Sequence, residues 1–241
     1  MKLSVVVPTL NEERCLARAL ASIPPGAEIV VADGQSEDRT REIAAQQGAR
    51  VVEGALGRGA QMNLGAKMAG GDTLLFLHAD CELGPGANEA IREALDDKDI
   101  VGGSFTLRVE PTSLGLGLVS LGSNLRARFL GFPYGDQALF VRRSEFERIG
   151  GYRDIPIMED VDLAKRLRAR GRMVTLKVPV TTTPRHWERL GPFATTLANW
   201  IAVTAFFLGV SPHRLAPVYH RLRGSQPSKP PSGEPLAVSN K

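Results

Sequence analysis

Apolar residues in the first half of the chain come in unbroken runs, at positions 5–7, 29–31 and 74–77, rather than in alternation with polar ones. Strands of a parallel sheet covered by helices on both faces read this way. Helix-length segments at 12–22, 37–47 and 60–69 lie between or beside them. This alternation predicts an α/β fold, a mostly parallel sheet flanked by helices. Shorter apolar runs at 138–141 and 173–178 predict further strands. In open sheets of this kind ligands bind beyond the carboxyl ends of the strands.

The pattern changes after residue 185. Residues 190–212 carry no acidic or basic side chain and include Trp200, Ile201, Val203, Phe206, Phe207 and Leu208. Gly191-Pro192 and Ser211-Pro212 bracket the stretch, and four Thr or Asn residues dilute it. Three readings stay open: an interfacial or acceptor-lining helix, a buried or dimer-forming helix, and a membrane-spanning one. A second uncharged segment, 111–125, is rich in Leu and Gly. Together they favour a lipid-like or small hydrophobic partner. Past Arg223 the chain is rich in Pro, Ser and Gly without apolar periodicity, which predicts a disordered tail. The expected division is a catalytic domain over 1–185, an apolar and basic helical appendage over 186–223 and the tail over 224–241.

Composition narrows this further. Apolar content of 43% in 241 residues supports a real core. Two cysteines form neither a disulfide framework nor a zinc spacing, which fits a reducing compartment. Residues 1–7 are too short for a signal sequence, so the catalytic part is expected in the cytoplasm. The net charge is only +4, but residues 185–223 hold five arginines against the single acid Glu188. That imbalance favours phosphates or anionic lipid heads, with peripheral contact at the inner face of the cell membrane. No nucleic-acid partner is expected, and a homodimer stays open.

Acidic residues stand at the ends of the apolar runs: Asp33, Asp80 and the pair Glu159-Asp160. Gathered carboxylates at strand ends suggest a metal and nucleotide site. The segment from Pro8 to Glu13 reads as a strand stopped by proline and a helix capped by Asn11. Asp33-Gly34 offers an acceptor for a base N–H or a ribose hydroxyl, or a turn before a helix capped at Ser36. Gly57-Arg58-Gly59 opens a helix and suits anchoring of a base or phosphate. Met62 stands where the dinucleotide fingerprint needs its third glycine. His78 and Asp80, two apart, share a strand face. Asp80 with substrate phosphates suits Mn²⁺ or Mg²⁺.

Pro8-Thr9-Leu10-Asn11-Glu12, Asp33-Gly34-Gln35-Ser36, Asp80 and Glu159-Asp160, in this order and spacing, resemble a family 2 glycosyltransferase over about residues 1–180. The resemblance implies a type A nucleotide-diphospho-sugar transferase fold and a hexosyltransferase-like enzyme that inverts the anomeric centre. It places Pro8, Thr9 and Glu12 around the nucleoside of a nucleotide-sugar donor, with a UDP-sugar favoured, and Asp33 on the base. Asp80 matches the metal-binding acid of the family's Asp-X-Asp motif, and His78 replaces the first acid. Residues 57–63 together with His78-Ala79-Asp80 resemble a bacterial subgroup associated with radical-SAM or selenium-domain proteins.

The mechanism expected from these residues has two sides. A cation at Asp80, helped by Arg58 or by Arg185 and His186, stabilises the departing diphosphate, with His186 as a further metal ligand. Asp160, at a helix start that favours its ionised form, is the general base, and Glu159 orients it. Gly135, Asp136, Gln137 and Trp187 are expected on the acceptor side. Two alternatives remain, a sugar-phosphate nucleotidyltransferase and a non-catalytic nucleotide-sugar-binding module that docks on membranes.

Overall fold

The structure, a computed structural model, describes residues 1–54, 57–187 and 190–223, without the side chains of His186 and Arg223. The expected tail over 224–241 lies outside the described residues.

Four strands build the first half: β1 (Leu3–Thr9), β2 (Glu28–Asp33), β3 (Arg50–Glu53) and β4 (Thr73–Phe76). β1 pairs in parallel with β2 and β4, and β2 with β3. All seven residues of β1 are buried. Val5 and Val7 enter one core cluster while Val6 enters another on the opposite face. Leu75 and Leu77 divide from Leu74 and Phe76 in the same way. The unbroken apolar runs therefore reflect two covered faces. β1 continues through Pro8, which pairs with Ala32, so the proline does not end the strand as expected.

The helices α1 (Leu16–Ala21), α2 (Thr40–Gln46) and α3 (Arg58–Met68) flank this half. α1 and α2 start later than their apolar pattern predicts. Asn11 adopts a φ of 55°, and its side-chain oxygen accepts the Glu37 N–H at 2.8 Å, which ties two loops together instead of capping a helix. Ser36 likewise turns to Asp33, and Asp38 takes the Thr40 N–H at 3.0 Å. α3 lies close against the sheet, because a Cβ on Gly65 would fall 2.3 Å from Val6 Cγ1.

The second half is mixed. It contains β5 (Cys81–Leu83), α4 (Ala87–Asp96), β6 (Ile100–Val109), α5 (Leu114–Leu125), which continues into a π turn over Arg126–Leu130, and β7 (Leu139–Arg142). Then come α6 (Arg143–Arg148), α7 (Glu159–Arg168), β8 (Arg172–Thr182), α8 (Gly191–Phe207) and α9 (Pro212–Arg223). The sheet order is β3-β2-β1-β4-β7-β6-β8-β5. β7 runs antiparallel to β4 and β6, and β5 to β8, while β6 pairs in parallel with β8, so the second half mixes both directions.

α8 turns Thr195, Ala198, Ala202 and Val203 inward. Ala202, Val203 and Ala216 of α9 share a core cluster with Ile157, Met158 and Val161. The C-terminal helices are thus packed beside the start of α7. No helix of the described residues is long and apolar enough to cross a membrane, which removes the spanning reading of 190–212.

Candidate active site at the carboxyl ends of the strands

The ends of β1 and β2 are fastened to each other. Asp33 Oδ1 accepts the Thr9 hydroxyl at 2.8 Å and the Ser36 hydroxyl at 2.6 Å, while Oδ2 accepts the Ser36 N–H at 2.8 Å. Asp33 is 0% exposed. Its carboxylate holds the loop in this conformation and does not face open solvent. Gln61, on the buried side of α3, donates to the carbonyls of Thr9 and Ala32 at 2.6 and 2.9 Å. Sequence reasoning quoted the segment holding Gln61 but missed this role. A glutamine one turn after a helix-opening Gly-Arg-Gly was the available signal.

The second loop group lies around Gly135, in a short 3₁₀ turn over Gly135–Gln137. A Cβ at Gly135 would fall 2.5 Å from His78 Nε2 and 3.5 Å from Asp160 Oδ2. Only glycine leaves room there, and its N–H donates to Asp160 Oδ2 at 2.6 Å. Asp160 Oδ1 accepts the N–H of Val161 at 2.7 Å. Met158, with φ of 66°, turns the chain so that Glu159 and Asp160 open α7. Carboxylates are favoured at a helix N-terminus.

Glu159 is buried and pairs with the half-exposed Arg58 at 3.0 Å. Burial pushes the Glu159 carboxyl up; Arg58 opposes this and Asp160 adds to it. Arg58 also feels Asp160 and Asp80, so one guanidinium lies in the field of all three acids. Arg58 is therefore already paired within the protein, where the sequence suggested an open anchor for base or phosphate. Asp162, one turn further, is buried between Arg153 and Arg166 and is structural.

Asp136 follows Gly135 into the same cleft. Burial, together with Asp160 and Asp80, raises its pKa to about 6 against the pull of Arg126. Its Oδ1 is buried without a hydrogen-bond partner among the described residues. Gln137 turns the other way. It is fully buried and its side chain meets Arg126 at 3.1 Å and the Phe105 carbonyl at 3.3 Å. Gly135 and Asp136 line the cleft, while Gln137 fixes their backbone from beneath. Arg126 also stacks 3.3 Å from the centre of the Tyr134 ring.

His78, Asp80 and Cys81 offer ligand atoms that all lie within 4.8 Å of one another. Burial, with Arg58 nearby, lowers the His78 pKa to about 4, so the imidazole is neutral and offers a lone pair. Burial raises the Cys81 thiol well above its ordinary value, so it stays protonated. The Asp80 carboxylate suits a hard divalent cation such as Mn²⁺ or Mg²⁺, and the neutral His78 imidazole adds a nitrogen donor beside it. Arg185 reaches Asp80 Oδ2 at 3.4 Å and Glu12 at 2.8 Å, which bridges the segments that follow β1 and β4. The His186 side chain lies outside the described residues. Trp187 is 4% exposed within the main core cluster, so its ring does not line the acceptor side as expected.

The structure thus gathers Glu12, Arg58, His78, Asp80, Gly135, Asp136, Glu159, Asp160 and Arg185 at one edge of the sheet, with Thr9 and Asp33 beneath. Solved structures share this architecture. The glucosyl-3-phosphoglycerate synthase of Mycobacterium tuberculosis, in complex with Mn²⁺, UDP-glucose and phosphoglyceric acid, matches with a TM-score of 0.62. That match has 20% identity and covers 87% of this chain and 80% of the other. The mannosyltransferase PcManGT of Pyrobaculum calidifontis, in complex with GDP-Man and Mn²⁺, also scores 0.62, with 20% identity over 91% of this chain and 68% of the other. The fold is that of a type A glycosyltransferase. The family model for glycosyl transferase family 2 matches residues 4–129, more than half of the chain, and the protein belongs to that family.

Among curated relatives, the 4,4'-diaponeurosporenoate glycosyltransferase of Staphylococcus haemolyticus is 36% identical over 104 residues, 39% of this chain and 27% of the relative. A low-salt glycan biosynthesis hexosyltransferase of Haloferax volcanii is 42% identical over 87 residues, 33% of this chain and 21% of the relative. These matches span well under half of each relative's length.

Proposed function

We propose that the protein is an inverting glycosyltransferase that moves a sugar from a nucleotide-diphosphate donor, with a UDP-sugar favoured, to a lipid-like or small hydrophobic acceptor. The carrying observation is the Gly135 amide, which holds Asp160 beside His78, two residues from Asp80. Base and metal donors then face one cleft. The complexes of the related folds with UDP-glucose, GDP-Man and Mn²⁺ support the donor and cation readings. The relative named for 4,4'-diaponeurosporenoate supports an apolar acceptor.

A Mn²⁺ or Mg²⁺ ion held by Asp80 and His78 would neutralise charge growing on the leaving diphosphate. Thr9, Pro8 and Glu12 border the nucleoside. Asp33 receives the base by exchanging one of its bonds to Ser36. Arg58 and Arg185 orient the diphosphate from either side. Asp160 keeps a free lone pair on each oxygen beyond its two backbone bonds, and it takes the proton of an acceptor hydroxyl. Glu159 fixes the α7 start through Arg58, and Gly135 with Asp136 forms the acceptor-side wall. The catalytic unit corresponds to 1–185 and the helical appendage to 186–223, working at the cytoplasmic face of a membrane. Residues 57–63 with His78-Ala79-Asp80 support membership of the bacterial subgroup associated with radical-SAM or selenium-domain proteins.

Calorimetric titration with UDP- and GDP-sugars, with and without Mn²⁺, tests the donor, base and metal together. Asp160→Asn is expected to keep donor affinity and lose at least about 100-fold in transfer, the scale of a general base. Retained transfer removes Asp160 from the mechanism. Release of pyrophosphate from a nucleoside triphosphate would favour the nucleotidyltransferase alternative instead.

A further inference from the structure

α5 displays its leucines outward. Leu114, Leu118, Leu121 and Leu125 recur at spacings of four, three and four, forming one stripe, and Leu114 is 87% exposed. The rotation of the helix is pinned. Asn124 accepts the Leu107 N–H at 2.7 Å and donates to the Leu107 carbonyl at 3.0 Å, while Leu116 and Val119 are buried beneath. The stripe therefore has no inward alternative. α8 adds a second apolar face, where Phe193 and Leu197 are 69% and 62% exposed and Trp200 and Ile201 continue the row.

The two faces are neighbours. A Cβ on Gly115 would fall 3.1 Å from Pro192 and 3.7 Å from the Phe193 ring, and the Phe132 and Phe207 rings lie 4.8 Å apart at the far ends. Apart from Met1 and Leu10, every exposed large apolar residue described lies within 114–130 or 190–222. A soluble surface seldom concentrates apolar groups like this without a partner.

Charge identifies the partner. Residues 111–135 and 190–223 contain no Asp or Glu, while Arg128, Arg214 and Arg221 stand exposed on the same elements. Lys165 and Arg168 flank the Phe206, Phe207 and Phe132 end from α7. An apolar face carrying Trp, Phe and Leu with a mainly cationic margin, where the exposed acid Glu110 is paired with Arg108, matches the acyl–headgroup boundary of an anionic leaflet. At 17 residues, with one side packed on the body, α8 lies in that plane and does not cross it.

We propose that the outward faces of α5 and α8 together form a docking surface for an anionic lipid bilayer. The surface is covalently continuous with the site, since α5 leads through the π turn and Tyr134 to Gly135 and Asp136. Docking stands on this geometry alone. That it delivers the acceptor to Asp160 rests on the transferase reading above.

The chain contains two tryptophans, Trp187 at 4% exposure in the core and Trp200 at 42% on the proposed face, so intrinsic fluorescence separates them. Full-length protein is mixed with phosphatidylcholine vesicles with or without phosphatidylglycerol. The expected result is a blue shift and quenching by brominated acyl chains with the anionic vesicles, weakened by high salt. Leu118→Glu with Leu121→Glu, both at exposed positions, is expected to reduce partitioning about tenfold or more while leaving the core intact. Calorimetric binding of a UDP-sugar to the same double variant reports separately on the transferase reading. No shift with anionic vesicles overturns the proposal, as does equal partitioning into neutral ones. A vesicle-independent dimer that the double variant dissolves overturns it too, by assigning the face to a second copy of the chain.

Discussion

Asp33 ends β2 and Asp160 stands in the first turn of α7, both at the same edge of the sheet, yet the protein treats them differently. Asp33 is fully enclosed and accepts three hydrogen bonds from Thr9 and Ser36. Asp160 accepts one backbone N–H on each oxygen and remains partly open. A buried carboxylate held by two hydroxyls and an amide ties architecture together, whereas a partly open one positioned by two amides keeps accessible lone pairs. The Asp33 side of this sheet edge is thus built rigid, and the Asp160 side is built accessible.

Substitutions can break or sharpen this contrast. The largest effect is expected from Gly135→Ala, whose methyl would collide with His78 and push Asp160 off its amide. Transfer should fall by at least about 100-fold, as misplacement at a reacting centre does, with donor binding measured alongside. Asp33→Ala should instead act on the fold, leaving the Thr9 and Ser36 donors unpaired at a loss of about 3 kcal/mol in denaturant unfolding. Asp160→Asn should change stability by less than about 1 kcal/mol, and a larger loss would erase the distinction between the two acids.

Asp136 gives a smaller effect of opposite sign. Its folded pKa of about 6 lies above the ordinary 3.8, so the native metal-free protein binds the proton more tightly than the unfolded chain does. Its contribution to stability falls as pH rises from about 4 through 6. Asp136→Asn should raise stability at pH 7 by roughly 1–2 kcal/mol, after discounting for partial exposure, and the gain should vanish below about pH 4. Thermal unfolding at several pH values, in chelator, measures this.

In the parallel half β1, β2 and β4 were legible because their central residues are buried on both faces, whereas β3, exposed or half-buried throughout, left no apolar run to read. Their place just past an apolar run singled out Asp80, Glu159 and Asp160 as candidates, and the structure gathers all three around Arg58. What escaped were contacts between distant segments. Asn11 and Ser36 look like helix caps in sequence, but each finds a better partner across the cleft, in a loop some 25 residues away. Gln61 bridges two strands that precede it, and nothing local marks its orientation. Trp187 reads as a binding aromatic beside Arg185 and His186, yet the end of β8 carries it into the core. The antiparallel insertion of β7 between β4 and β6 is equally silent, since a four-residue apolar run does not state its direction.

The Arg58–Glu159 pair joins the two sides of the cleft electrically. Arg58 is the positive neighbour that offsets two adjacent carboxylates at the head of α7. An anion arriving beside Arg58 and drawing that guanidinium toward itself leaves the buried Glu159 uncompensated, and Glu159 then holds a proton more strongly. Anion binding at Arg58 would thereby set the charge at the head of α7. Glu159→Gln should sever that link, removing the proton uptake that accompanies anion binding; unchanged uptake would leave the pair as a structural clasp alone.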